Sequence, residues 1–135
     1  MRLTYFVDTW FFIATMEPGD AHHRAARRLA TTVAGAKLVT HDAVLTEVLA
    51  YFSDEGAYAR GRAVRAVRSA FLNMEVVSTS GEVFHAALDR YEQRPDKEYS
   101  LVDCMSMVVM ERLGILHVLT NDHHFSQAGF TVVNQ

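Results

Sequence analysis

Leu3-Thr4-Tyr5-Phe6-Val7-Asp8-Thr9-Trp10-Phe11-Phe12-Ile13 is the stretch on which the fold turns. Leu3 to Val7 is short, apolar and β-prone, Asp8-Thr9 closes it, and Trp10 to Ile13 continue as a buried turn or short helix. Trp10, Phe11 and Phe12 read as core and not as a base-stacking platform, because consecutive bulky residues after a first strand are usually buried. A carboxylate placed between such a strand and such a cluster is itself largely buried, which is costly unless something compensates the charge.

The same alternation runs outward from this stretch. Ala21 to Val33 predicts an amphipathic helix with Ala25, Leu29 and Val33 inward, after a break at Pro18-Gly19-Asp20. Lys37 to Thr40 is a second strand, and Asp42 is placed to cap a helix with Val44, Val48, Leu49 and Phe52 as its apolar stripe and Glu47 in its early part. Ala57 to Asn73 is a further helix, with Val64, Val67 and Phe71 inward and Arg62, Arg65 and Arg68 along a second face. Glu75 to Ser78 is a third strand. Thr79 with Glu82 then forms a capping-box pattern opening a helix through Val83, Ala87 and Tyr91, ended by Pro95.

Ser100 and Asp103 repeat that pattern before Met105 to Leu113, apolar nearly all round and stopped by Gly114, which predicts a central buried helix. Leu116 to Leu119 is a fourth strand with Thr120-Asn121-Asp122 as its exit turn, and Thr131 to Val133 a last one. Strands alternating with helices predict an α/β, three-layer fold: a mainly parallel sheet of four to five strands, flanked by helices, in a single domain over residues 1–135. Ligands of such sheets bind beyond the carboxyl ends of the strands, where Asp8, Glu47, Asp103 and Asp122 all fall.

Half of the 135 residues are hydrophobic, enough for one core, and the net charge of −3 means that any hold on a polyanion comes from local patches or bound cations. No apolar run reaches membrane-spanning length and the N-terminus carries no signal-peptide pattern, so the expected location is the cytoplasm, with no membrane partner. The single cysteine, Cys104, lies in an apolar run and reads as a small hydrophobe.

If the four acids converge, each ionised pair about 5 Å apart repels by roughly 3 kcal/mol at an effective dielectric of 20. A bound cation is the natural compensation. Hard oxygen donors, with no cysteine or histidine cage, point to Mg²⁺ or Mn²⁺, the chemistry of phosphodiester hydrolysis. Asp8 and Asp103 are the first-choice direct ligands, Glu47 and Asp122 join them directly, through water or by orienting the nucleophile, and Thr9, Ser100, Thr120 and Asn121 supply supporting hydrogen bonds. Taken singly, Asp103 reads equally as the carboxylate of a capping box, Glu47 as a solvated helix residue and Asp122 as turn chemistry. The case is joint.

Arg62, Arg65 and Arg68, with Arg24, Arg27 and Arg28, are candidate contacts to the phosphates of a nucleic acid, although arginines on outward helix faces are mostly solvated or paired. His123 and His124 adjoin Asp122 but read as local turn residues, and His22, His23, His41, His85 and His117 show no ligand spacing.

Together, Phe6-Val7-Asp8-Thr9, Leu45-Thr46-Glu47-Val48-Leu49, Ser100-Leu101-Val102-Asp103-Cys104 and Leu119-Thr120-Asn121-Asp122-His123-His124-Phe125 with Gly129-Phe130 resemble the PIN-domain family, in particular the small ribonuclease toxins of type II (VapC-like) toxin-antitoxin systems. The resemblance implies a PIN-like fold, Mg²⁺ or Mn²⁺ dependence, endonucleolytic cleavage of RNA, and Asp8, Glu47, Asp103 and Asp122 as the matching acidic positions. It also implies a homodimer silenced by a cognate antitoxin whose tail covers the acidic pocket. Met105, Met107 and Met110 depart from the alanine-rich central helix of many relatives, and Asn121 stands where some carry a further acid. The competing readings are a catalytically inactive PIN-type RNA- or protein-binding module and a small phosphotransfer domain; the latter lacks its second aspartate after Asp8.

Overall fold

In the computed structural model, which describes residues 2–135, five strands form one wholly parallel sheet. In chain order the elements are β1 (Thr4–Val7), α1 (Thr9–Met16), α2 (His23–Thr32), β2 (Lys37–His41), α3 (Asp42–Tyr51), α4 (Ala57–Asn73), β3 (Glu75–Val77), α5 (Gly81–Gln93), α6 (Leu101–Leu113), β4 (His117–Leu119), α7 (His124–Gln127) and β5 (Thr131–Val133). The sheet runs β3-β2-β1-β4-β5, with Phe6 opposite Val39 on one side and Val118 on the other.

That order places the acids. The chain leaves β1 toward β2 and β3, then returns across the sheet to β4 and β5. Right-handed crossovers therefore put α1 to α4 on one face and α5 to α7 on the other. The connections diverge at the carboxyl end of β1, the switch point where open parallel sheets form a crevice. Asp8 stands there. Phe6, Val7, Val39, Val118 and Leu119 are fully or almost fully buried in the sheet, and every residue of α6 from Cys104 to Met110 is buried against it, as a helix apolar all round requires. Gly114 ends α6 in the left-handed conformation at φ 67°, which glycine adopts without a Cβ penalty.

Local expectations changed where tertiary packing decided the face. Val64 and Phe71 lie outward on α4, Phe71 59% exposed, and Ala63 and Ala70 are buried in their place. Small residues let α4 pack closely, which a stripe of valine and phenylalanine would prevent. On α3, Leu45 is buried and Leu49 turns outward, and Tyr91 on α5 is 53% exposed. Asp42 is the first residue of α3 and does not cap it: its carboxylate accepts from the Thr79 hydroxyl at 2.6 Å and from the Thr79 N–H. Thr79 is thereby removed from capping α5, and Ser80 takes that role, accepting from the Val83 N–H. Among the described residues no helix is long and apolar enough to cross a membrane.

Candidate active site

The acidic pocket is assembled from a strand end, two helix starts and a turn. Asp8 follows β1, and its N–H still donates to the Leu119 carbonyl of the neighbouring strand at 3.3 Å. Its side chain makes no cap bond to α1; Oδ2 instead accepts from the Thr120 hydroxyl at 2.7 Å, and the residue is 6% exposed. Burial first, against the Thr120 hydrogen bond, and then the charges of Asp103 and Glu47 together hold the Asp8 carboxyl up from 3.8 to about 7. Without a counter-ion this carboxyl resists ionisation.

Glu47 rides half-buried on α3, and its Oε1 accepts from the Thr9 hydroxyl at 2.6 Å. Asp103 occupies the third position of α6 in a complete capping box. The Asp103 N–H donates to the Ser100 hydroxyl and the Ser100 N–H donates to Asp103 Oδ2, both at 3.0 Å. Burial raises the Asp103 carboxyl, the Ser100 N–H pulls it back, and Asp122 and Glu47 raise it again. The capping carboxylate thus also belongs to the acidic cluster.

Asp122 is fixed by an Asx turn, its Oδ1 accepting from the His124 N–H at 2.9 Å. Its own N–H donates to the Thr120 hydroxyl at 3.1 Å, so that one hydroxyl holds Asp8 and the Asp122 turn together. The same turn folds back the His124 ring, whose Nδ1 lies 2.9 Å from Asp122 Oδ1 and 3.9 Å from Asp103 Oδ2, outside hydrogen-bonding alignment with either. One donor atom from each of Asp103, Asp122 and His124 falls within a 4.8 Å cluster.

Thr9, Ser100 and Thr120 each hold one of the acids. Asn121 differs: its exposed amide meets His22 Nε2 at 3.3 Å and accepts from the Asn134 amide at 3.1 Å. Arg62 is half-buried with its guanidinium on the Met16 carbonyl at the end of α1, while Arg65 and Arg68 are exposed. Two histidines near these acids were not read from the sequence as their neighbours. His124 enters the cluster only because the Asx turn reverses the chain. His41, fully buried, has its ring held down to about 4 by burial, with the Asp42 charge opposing, and meets Ser106 Oγ at 2.8 Å, one turn along α6 from Asp103.

Residues 5–131 match the PIN domain. The chain belongs to the PIN domain family. Within that family, it is 33% identical to the 23S rRNA-specific endonuclease VapC20 of Mycobacterium tuberculosis, across 95% of this chain and 96% of that protein. The crystal structure of M. tuberculosis VapC20, a Sarcin-Ricin loop cleaving toxin, superposes with a TM-score of 0.86 at 29% identity, covering 97% of this chain and 99% of that one. VapBC2 from Rickettsia felis, bound to a DNA fragment from its promoter, shares the PIN fold at 12% identity, with a TM-score of 0.71 and 98% of both chains covered.

The residues fit the divalent metal that a PIN domain implies. The donors are hard carboxylate oxygens, Asp8 is buried and the other three acids are half-buried, and no lysine or arginine forms an ion pair with any of them among the described residues. Asp8, held high by burial and by neighbouring acids, lacks the positive charge that an ion supplies.

Proposed function

We propose that the protein is a Mg²⁺- or Mn²⁺-dependent endoribonuclease, the toxin of a toxin-antitoxin pair, working as a homodimer and held silent by its antitoxin. The observation that carries this reading is the meeting of Asp8, Glu47, Asp103 and Asp122 at the carboxyl end of the sheet with no lysine or arginine paired to any of them among the described residues. The 33% identity to an rRNA endonuclease supports RNA as the substrate, and the likeness to VapC20 supports the toxin role.

In this mechanism Asp8 and Asp103 would hold the metal, with Glu47 and Asp122 supporting them directly or through water. A divalent ion held there would supply Lewis-acid chemistry for phosphodiester hydrolysis, a more acidic water and a counter-charge for the leaving oxygen. Thr120 aims Asp8 and fixes the Asp122 turn, Thr9 aims Glu47, and the Ser100 backbone holds Asp103, so each carboxylate has an outer partner that fixes its rotamer. His124 stands beside Asp122 and Asp103, with Nδ1 2.9 Å and 3.9 Å from their carboxylate oxygens.

The decisive experiment incubates purified protein with labelled RNA and Mg²⁺ or Mn²⁺. Cleavage is expected, lost in EDTA and reduced at least about 100-fold in Asp8→Asn and Asp103→Asn, beyond what loss of an outer partner usually costs. Both variants should stay folded by circular dichroism. Intact RNA with folded, metal-bound wild type overturns the nuclease reading in favour of a binding module.

A further inference from the structure

The basic residues are distributed unevenly around the pocket. Residues 21–41 contain Arg24, Arg27, Arg28 and Lys37 and no aspartate or glutamate, in a chain where acids outnumber lysine and arginine 16 to 13. Lys37 pairs with Glu75, but Arg24, Arg27 and Arg28 are exposed and form no ion pair among the described residues. They stand at i, i+3 and i+4 on one face of α2, with Arg24 and Arg28 about 6 Å apart along the axis. The neighbouring helix α1 also carries no acid. Together the three arginines line an open groove of about 670 Å³. Three uncompensated cations side by side repel one another, and a polyanion relieves that repulsion.

This face is joined to the pocket. His22 precedes α2, and its ring lies edge-on to Trp10 with centroids 5.8 Å apart. Its Nε2 meets the amide of Asn121, the residue before Asp122. The residue that precedes α2, two residues before the first arginine of the groove, thus touches the turn that carries Asp122. The α4 arginines are placed differently: Arg60 and Arg62 are committed to the carbonyls of Ser53 and Met16, and Arg65 and Arg68 alternate with exposed Val64, Phe71 and Leu72. A mixed apolar and basic face does not match a phosphate backbone.

Building on the nuclease reading, we propose that the α2 face presenting Arg24, Arg27 and Arg28 is the track on which the RNA backbone lies as it enters the pocket, with His22 and Asn121 at the junction. The track supplies affinity and direction; the carboxylates supply the chemistry. Such contacts release counter-ions, so they write themselves into the salt dependence of binding.

The test measures binding of a fluorescent single-stranded RNA to Asp8→Asn protein, which binds without cutting, across a salt series with Mg²⁺ present. Adding Arg24→Gln, Arg27→Gln and Arg28→Gln should weaken binding at least about 10-fold near 0.1 M salt and reduce the slope of log K against log salt by about 2, the value for three single-strand phosphate contacts. Arg65→Gln with Arg68→Gln should leave the slope unchanged. In the otherwise wild-type chain, the α2 triple variant should keep the thermal midpoint and its rise with Mg²⁺, which separates the track from the metal site. A wild-type slope in the triple variant overturns the track. So does unchanged RNA binding with lost binding of poly-glutamate, which marks α2 as a surface for an acidic protein. Wild type that neither binds nor cuts RNA overturns the nuclease reading itself.

Discussion

The sheet side of the pocket and the helix side hold their carboxylates by different means. Asp8 ends a buried strand and meets one side-chain donor, Thr120, so withdrawal from water dominates and its carboxyl rises to about 7. Asp103 begins a helix, where the Ser100 N–H binds it and the α6 dipole favours its charge. Burial raises Asp103 too, but a helix N-terminus is an environment built for anions and a strand end is not. The difference locates the pocket's missing positive charge: it is needed most at Asp8.

The largest test of this contrast is the pH dependence of metal-free stability. The folded state favours protonated Asp8, whereas the unfolded chain ionises it near 3.8, so the stabilisation is present below 3.8 and is lost as pH rises through about 7. The difference corresponds to roughly 4 kcal/mol. Urea titrations in EDTA should show that decline in wild type, and Asp8→Asn should largely remove it, leaving a smaller decline from Asp103. Saturating Mg²⁺ should restore wild-type stability at pH 8, and superimposable traces with and without metal would break the comparison.

A smaller effect separates the supporting hydroxyls. Thr120→Val removes the donor to Asp8 and the acceptor for the Asp122 N–H, so metal affinity by calorimetry should fall about 10- to 100-fold. Ser100→Ala leaves the Ser100 N–H on Asp103 and deletes only the other half of the box. Stability should drop by about 1 kcal/mol in urea, with a lesser change in metal affinity. The reverse ranking of affinities would mean that the helix side carries the ion.

The layout of sheet and helices was legible because it rests on period and punctuation. Apolar runs of strand length, the Ser100-Asp103 pair and Gly114 report local preferences that the fold keeps. Faces were less legible. Val64 and Phe71 satisfy an inward stripe, yet α4 buries Ala63 and Ala70, because the spacing between helices is a property of both partners. Thr79 with Glu82 has the spacing of a capping box, yet a contact with Asp42, 37 residues earlier, takes the Thr79 hydroxyl and leaves the cap to Ser80.

The acids were legible as a set because each ends a strand, follows one or opens a helix, and such a sheet gathers those positions at one edge. His124 and His41 were not. One is delivered by the reversal of a turn, and the other bonds a serine 65 residues away. No spacing rule reaches either.

Asp103 belongs at once to the first turn of α6 and to the acidic cluster, and in the proposed mechanism this double membership ties activity to structural integrity. A chain whose central helix has frayed loses the cap and scatters the carboxylates in the same event. Partly folded intermediates, whether newly made or ageing, therefore carry no competent centre, so the capacity to cut arrives only with the finished molecule and departs with the first turn to open.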